Sequence, residues 1–465
     1  MPMSASESFD AIVIGSGQGA NPLCIALAQA GWRTALIERK HVGGTCVNEG
    51  CTPTKTMVAS ARVAYLARRA GDYGVHTGEI RVDMQRVRQR KRDIVNSFRG
   101  GSEKRLESTK NLELIFGEAS FTGAKSVLVR PRDGGERTLT ADKFFINAGA
   151  RSAVPKIEGL NDVSFLDSTS IMELEVVPEH LIVLGGGYVG LEFGQMFRRF
   201  GSRVTVLHGR DHLLRAEDDD VTEEIAAILK QDGVEVMLGA MATRVEKKGS
   251  QIRVIATTGN ETFVTDGSHL LVATGRTPNS DSLNVGAAGI ATDKRGFIPV
   301  NSKLETNVAG IFALGDINGG PAFTHISYDD FRILRTNLLE KGNASTEGRL
   351  VPYALYIDPQ LGRIGLTETQ ARAQGKQFRV AKMPMAHVAR ALETDESRGF
   401  MKAIVDAASG EILGAAVFGI EGGEIMSMLE IAMMGKLPYT ALREAVFAHP
   451  TLAESLNNLF NSFAS

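Results

Sequence analysis

The chain has 465 residues with 43% apolar side chains, more than one hydrophobic core serves, so about three domains are expected. A formal charge of −2 and a pI near 6.5 exclude the basic footprint of a nucleic-acid binder and a surface drawn to anionic membrane. Three cysteines match a reducing compartment; the start MPMSASESFDAIVIG lacks a signal peptide's basic end and apolar core, and no apolar run of about 18 residues occurs, so the reading is a soluble cytoplasmic protein.

The first ordered segment, DAIVIGSGQGANPLCIALAQAGWRTALIER, reads as a buried strand, a glycine turn, an apolar helix and a second strand ending at Glu38. Gly15, Gly17 and Ala20 satisfy G-x-G-x-x-G/A, which lets backbone N–H groups approach a pyrophosphate at a helix N-terminus. An acid at Glu38 accepts from a ribose 2′-OH and repels a 2′-phosphate, so this unit suits FAD. Cys24, inside the apolar helix, is a small buried hydrophobe.

Next comes GGTCVNEGCTPTK, in which Cys46 and Cys51 stand five positions apart. On an ideal helix such residues have Cα atoms about 8.6 Å apart, too far for the roughly 7 Å limit of a disulfide. Bridging needs a bend, which Gly43, Gly44, Gly50 and Pro53 make cheap, and a strained bridge is easily reduced. The segment suits a redox disulfide better than an inert one, and with two thiols and His41 it is too poor in ligands for zinc, so no metal site is expected. Lys55, one helical turn beyond Cys51, favours a thiolate there and the anionic form of a neighbouring flavin. The basic stretch 86–105 reads as a solvated helix face.

FFINAGAR, with Gly149, is another strand running into a small-residue turn. After it HLIVLGGGYVGLEFGQMFRRFGSRVTVLHGR repeats the first unit: adding 170 takes Gly15 to Gly185, Gly17 to Gly187, Ala20 to Gly190, Gly31 to Gly201 and Arg33 to Arg203. Two dinucleotide units in one chain point to two different dinucleotides. The same offset takes Glu38 to His208; no acid stands there, and Arg210 and Arg215 follow, so the second unit favours NADPH over NADH. HLLVATGRTPN, with Gly275, and AGIFALGDING, with Asp316, add two strand-to-turn segments, and a carboxylate at Asp316 suits either cofactor hydroxyls or a helix N-cap.

With the closing stretch AHPTLAESLNNLF, these two units and the spacing Cys-x4-Cys-x3-Lys resemble the class I pyridine nucleotide-disulfide oxidoreductases over essentially the whole chain. The resemblance implies an α/β fold of glutathione reductase type: two Rossmann-like domains, for FAD and NAD(P)H, and an α+β C-terminal dimerisation domain. FAD would take residues 1–152 and 280–346, NADPH 153–279, and the interface domain 349–465. Cys46 would be the thiol that meets the acceptor and Cys51 the thiol beside the flavin. Lys55 would lie by the flavin and pair with Glu192; Tyr188 would cover the nicotinamide pocket. Asp316 would hold the ribityl chain, with Gly44, Thr45 and Gly149 also against FAD, and Gly275 would join the NADPH set.

His449 and Glu454 match the family's HPxxxE, an acid–base histidine held by a glutamate and supplied to the other subunit of an obligate homodimer. The likeness is strongest to the mercuric reductase and reactive-chlorine-response branches, although no cysteine follows Cys51 to form the C-terminal pair of mercuric reductases. The implied activity passes electrons from NADPH through FAD and the Cys46–Cys51 disulfide to a small oxidised acceptor: a disulfide, an oxidised thiol species or a metal ion. Dihydrolipoamide dehydrogenase is the alternative, and a flavoprotein that binds or senses without turnover is the alternative of another class.

Overall fold

The computed structural model describes residues 6–464. By packing, the chain forms two compact units: one runs to Met57 and takes up Gln85–Ala153 and Gly275–Arg349, and the other holds Val58–Met84, Val154–Thr274 and the chain from Leu350 on.

In the first unit the strand Glu7–Ile14 lies parallel between Thr34–Glu38 and Arg137–Ile146, with Ile311–Ala313 parallel beyond the latter. Leu112–Gly123 starts parallel to Thr34–Glu38, then turns antiparallel against Ser126–Pro131, which leads back to Arg137–Ile146. Alternate residues of the first strand enter different cores: Ile12 and Ile14 pack with Phe121 and Phe144, while Ala11 and Val13 pack with Leu23, Leu27 and Phe145. A strand buried on both faces reads as the continuous apolar run AIVI, and the glycine turn at its carboxyl end is held rigidly. Cys24 is fully buried in that packing. The strand Arg276–Pro278 pairs with Ala150–Ser152 in the same unit.

The second unit carries a four-stranded parallel sheet in the order His269–Val272, His180–Leu184, Arg203–His208, Val234–Leu238. An antiparallel sheet, Met241–Lys248, Gln251–Thr258 and Glu261–Gly267, follows in sequence. The C-terminal part is a five-stranded antiparallel sheet whose apolar face is closed by the helices Gly422–Met434 and Ser455–Asn461 through Ile425, Leu429, Leu456 and Phe460.

One sequence expectation needs correction. The basic stretch is a helix, Met84–Glu107, but not a wholly solvated face: Lys91 is 3% exposed, Arg90 Nη1 donates to the Thr56 carbonyl at 2.8 Å and Arg99 Nε to Asn48 Oδ1 at 2.8 Å. Long basic side chains here reach acceptors on the helices Cys51–Arg68 and Gly44–Asn48.

A buried ion cluster fixes part of the second unit. Lys402, 1% exposed, donates to Asp218 Oδ2 at 2.9 Å, Asp220 Oδ1 at 2.8 Å and Glu368 Oε1 at 3.0 Å. Burial works against ionisation of Asp218, but Lys402 and the N–H groups of Thr369 and Glu368 overcome it and hold the carboxyl well below its usual range. A depressed carboxyl stabilises the fold above its unfolded pKa of about 3.9 and loses that contribution as pH falls through the folded value. Lys402→Met removes the buried cation shared by Asp218, Asp220 and Glu368, although Lys382 still pairs with Asp220 and Arg372 with Glu368, so unfolding in urea at pH 7 should show a loss of about 3–5 kcal/mol. A loss under about 1 kcal/mol would contradict the cluster's importance.

Candidate redox site

The first glycine turn is shaped by contacts that admit no side chain. At Gly15, with φ +91°, a Cβ would lie 2.5 Å from the Asn147 carbonyl oxygen, and at Gly17 one would lie 2.3 Å from Asn147 Oδ1. Asn147 Nδ2 donates to the Leu314 carbonyl at 2.6 Å, and its buried Oδ1 has no hydrogen-bond partner. Gly44, with φ +61°, brings its backbone so near that its Cβ would stand 2.8 Å from Gly17 Cα. Two backbones thus face one another at the head of the helix Ala20–Gln29, a cradle for a pyrophosphate. Glu38 Oε2 accepts from the Ser16 N–H at 2.9 Å and Oε1 from the Lys40 N–H at 2.6 Å. Gly149 has φ +66°, and Thr45 is exposed in the short helix Gly44–Asn48. Burial raises the Asp316 carboxyl, opposed by Arg276 at 3.8 Å.

The second turn repeats the first with one change of charge. Gly185 has φ +112° and its Cβ would lie 2.4 Å from the Ala273 carbonyl; a Cβ on Gly190 would meet Gly185 O at 1.9 Å, whereas Gly187 faces open space. His208 Nδ1 accepts from the Gly186 N–H at 3.1 Å, the bond that Glu38 makes to Ser16 in the other unit. Its Nε2 faces the His212 carbonyl at 3.1 Å, so Nε2 carries the proton. Burial first, then the charges of Arg210 and His212, push its pKa down, and the ring is neutral at pH 7. Arg210 and Arg215 are exposed. Tyr188 opens the helix Tyr188–Phe200, its ring edge-on to Tyr353 at 5.6 Å and its phenol pushed up by burial and by the charge of Glu217. Glu192, 6% exposed in that helix, accepts the Tyr356 N–H at 2.9 Å. Gly275 lies in the first unit, at φ +145°, where its carbonyl accepts from Ala153 N–H.

Between Cys46 and Cys51 the helix is interrupted. Gly44–Asn48 ends at Glu49, which leaves helical geometry with φ −140° and ψ 9°, and a new helix, Cys51–Arg68, starts on Cys51. Gly50 makes the return tight: a Cβ there would lie 2.9 Å from Thr45 O and 3.4 Å from Cys46 Cα. Asn48 closes the short helix by donating to the carbonyls of Val42 at 3.0 Å and Gly44 at 2.9 Å while Arg99 holds its other end. Both cysteines are thiols here. The neighbouring Cys51 and then burial push the Cys46 thiol far up; Thr324 and the charge of Lys55 pull it down. Cys51 stands at the head of a helix, where a thiolate is favoured.

In the second unit His449 Nδ1 is 2.8 Å from Glu454 Oε2, which leaves Nε2 outward on a side chain 67% exposed. The structure thus gathers Cys46, Cys51 and Lys55 in the first unit, and joins His449 with Glu454 in the second. It adds Thr324, whose Oγ1 is 3.3 Å from Cys51 Sγ, together with Asn48, Arg99 and Asn147. Thr324 is 273 positions from Cys51 and heads a helix without a side-chain cap, so only its place just after GDING could have marked it.

Comparison with known proteins agrees with this geometry. Residues 9–330 match the family model described as pyridine nucleotide-disulphide oxidoreductase, and 351–460 match the dimerisation domain of that name. The chain is 39% identical over 459 residues to the probable pyridine nucleotide-disulfide oxidoreductase RclA of Escherichia coli (strain K12), covering 98% of this chain and 99% of that protein. It is 34% identical over 448 residues to a mercuric reductase of Bacillus cereus, covering 96% of this chain and 70% of that protein. Among solved structures, a Cu(II) complex of the HOCl-induced flavoprotein disulfide reductase RclA from Escherichia coli matches with a TM-score of 0.89 and 38% identity over 98% of this chain and 99% of that one.

The residues present fit FAD: the paired glycine backbones leave a slot that one Cβ would fill, and Glu38 ends the second strand as an unphosphorylated ribose requires. Gly44→Ala is therefore expected to purify with little flavin, read as the ratio of visible flavin absorbance to protein absorbance. Full flavin occupancy in that variant would refute the cradle.

Proposed function

Because the chain belongs to the class I pyridine nucleotide-disulfide oxidoreductases, and so is a flavin-dependent enzyme, we propose that it takes electrons from NADPH to the Cys46–Cys51 disulfide and on to a small oxidised acceptor. The observation that carries this reading is the placement of Cys46 and Cys51 on either side of a broken helix, with Lys55 acting on Cys46 and a dinucleotide cradle in the same unit. Bound FAD supplies a two-electron carrier between pyridine nucleotide and sulfur. Gly15, Gly17, Ala20, Gly44, Thr45, Glu38, Gly149 and Asp316 hold it, and Gly185, Gly187, Gly190, Arg210, Arg215 and Gly275 serve the second nucleotide, with Tyr188 over its nicotinamide pocket.

The protein's own chemistry is thiol–disulfide exchange. Cys46 as thiolate attacks one sulfur of a disulfide acceptor, forming a mixed disulfide and expelling the other half as a thiolate. Cys51 then attacks Cys46 Sγ, which closes the Cys46–Cys51 bond and expels the remaining half. A Cys46 thiol raised by its neighbour and by burial ionises poorly unaided, so a base is needed. His449 suits that role because Glu454 fixes its Nδ1 proton, leaving Nε2 to take the proton from Cys46 and return it to the leaving thiolate. Glu192 is fixed by the Tyr356 N–H.

His449 acts in the partner subunit of a homodimer. Supporting this are the dimerisation-domain match and an apolar stripe in the same region: Ile431 is 68% exposed, Met434 71%, Leu437 41% and Val446 fully exposed. Acceptor choice rests on relatives: one is named a mercuric reductase, and another is described as an HOCl-induced disulfide reductase and was solved with Cu(II). Reoxidation of the NADPH-reduced enzyme by glutathione disulfide, lipoamide, Hg(II), Cu(II) and hypothiocyanous acid, compared by stopped flow, identifies the branch.

Two outcomes test the reading. Cys51→Ser should abolish NADPH-driven disulfide reduction and the long-wavelength charge-transfer absorbance of the reduced protein; unchanged turnover would overturn it. NADPH preference is supported by the neutral His208, which does the backbone work of Glu38 without its charge. His208→Glu should lower the ratio of kcat/KM for NADPH to that for NADH about tenfold or more, measured at constant ionic strength.

A further inference from the structure

Thr324 takes no part in the relay described so far, yet its hydroxyl stands at the redox pair. Its Oγ1 is 3.3 Å from Cys51 Sγ, within hydrogen-bond range for sulfur, and it eases ionisation of the nearby Cys46 thiol. Thr324 opens the helix Thr324–Leu339, and the positive end of a helix favours negative charge nearby. The helix is anchored: Asp330, fully buried, accepts the Gly315 N–H at 2.8 Å and Arg349 Nη1 at 2.7 Å. The hydroxyl therefore sits on a fixed support and can only rotate.

We propose that Thr324 is a catalytic hydrogen-bond donor shared by the two sulfurs, turning its proton to whichever of Cys46 and Cys51 carries the negative charge. At rest it donates to the Cys51 thiolate. When Cys46 is the attacking thiolate the O–H swings to it, and the cost of moving charge between the sulfurs falls at both ends. A hydroxyl suits this better than a fixed N–H or a cation because it changes partner by rotation about one bond and favours neither site permanently. Cys51 and Lys55 are the titratable groups that act most strongly on the Cys46 thiol, and neither can follow the charge in this way.

The inference rests on the reading of Cys46 and Cys51 as the working pair. It is tested on dithiothreitol-reduced holoenzyme without pyridine nucleotide, by the pH dependence of Cys46 alkylation with iodoacetamide, located by peptide mass. In Thr324→Val the half-maximal pH should rise by about one to two units, the worth of one hydrogen bond to a charged group, and Thr324→Ser should track the wild type. The charge-transfer absorbance should titrate at correspondingly higher pH in the valine variant only. Coincident profiles for wild type and Thr324→Val, or a serine variant displaced as far as valine, would overturn the proposal. Should Thr324→Val fail to hold flavin, Thr324→Ala removes the same hydroxyl without a branched side chain and carries the comparison. Failure here leaves the loss of turnover in Cys51→Ser untouched, so the two readings fall separately.

Discussion

Two sulfurs five residues apart meet because the backbone between them leaves the helix for one turn, and the chemistry depends on that interruption. Gly50 is its centre, since the approach to Thr45 O and Cys46 Cα leaves no room for a side chain. A second helix starts on Cys51, which places one sulfur at a positive helix end and its partner on the short preceding turn. The asymmetry of the pair follows. Burial and the neighbouring Cys51 favour the protonated form of Cys46, the sulfur that attacks in the proposed reaction.

That asymmetry explains why the site needs groups from distant parts of the chain. In the proposed reaction a thiol raised by its neighbour needs an external base, a part that the His449–Glu454 pair would play: a carboxylate fixes one ring nitrogen on an exposed side chain. An imidazole presented to solvent on a chain that also exposes Ile431, Met434 and Val446 is consistent with a site completed by a second copy.

The two nucleotide turns illustrate how one backbone device is tuned by one side chain. In both, the N–H after the first glycine is received by the residue ending the second strand, at 2.9 Å by Glu38 and at 3.1 Å by His208. The turn geometry survives because carboxylate and imidazole both accept. The field at the ribose differs by a full charge because the imidazole is held neutral by burial and by neighbouring cations.

What the sequence by itself determined is whatever short-range pattern and spacing encode: the two strand–turn–helix units, their offset, the acid in one and its absence in the other, and the Cys-x4-Cys-x3-Lys run. Glycine at a positive φ and an apolar run between turns have one economical explanation each, so Gly15, Gly185 and the buried strands were legible. Spacing also forbade a continuous helix through both cysteines. Only the tertiary structure decided which distant groups join them. Thr324, 273 residues from Cys51, comes from another helix of the same unit, and Lys91 is buried although the charge pattern around it reads as a solvated face. A hydroxyl or an ammonium carries no periodic signal; its role is set by which acceptor the folded chain brings within about 3 Å, and that is a property of packing.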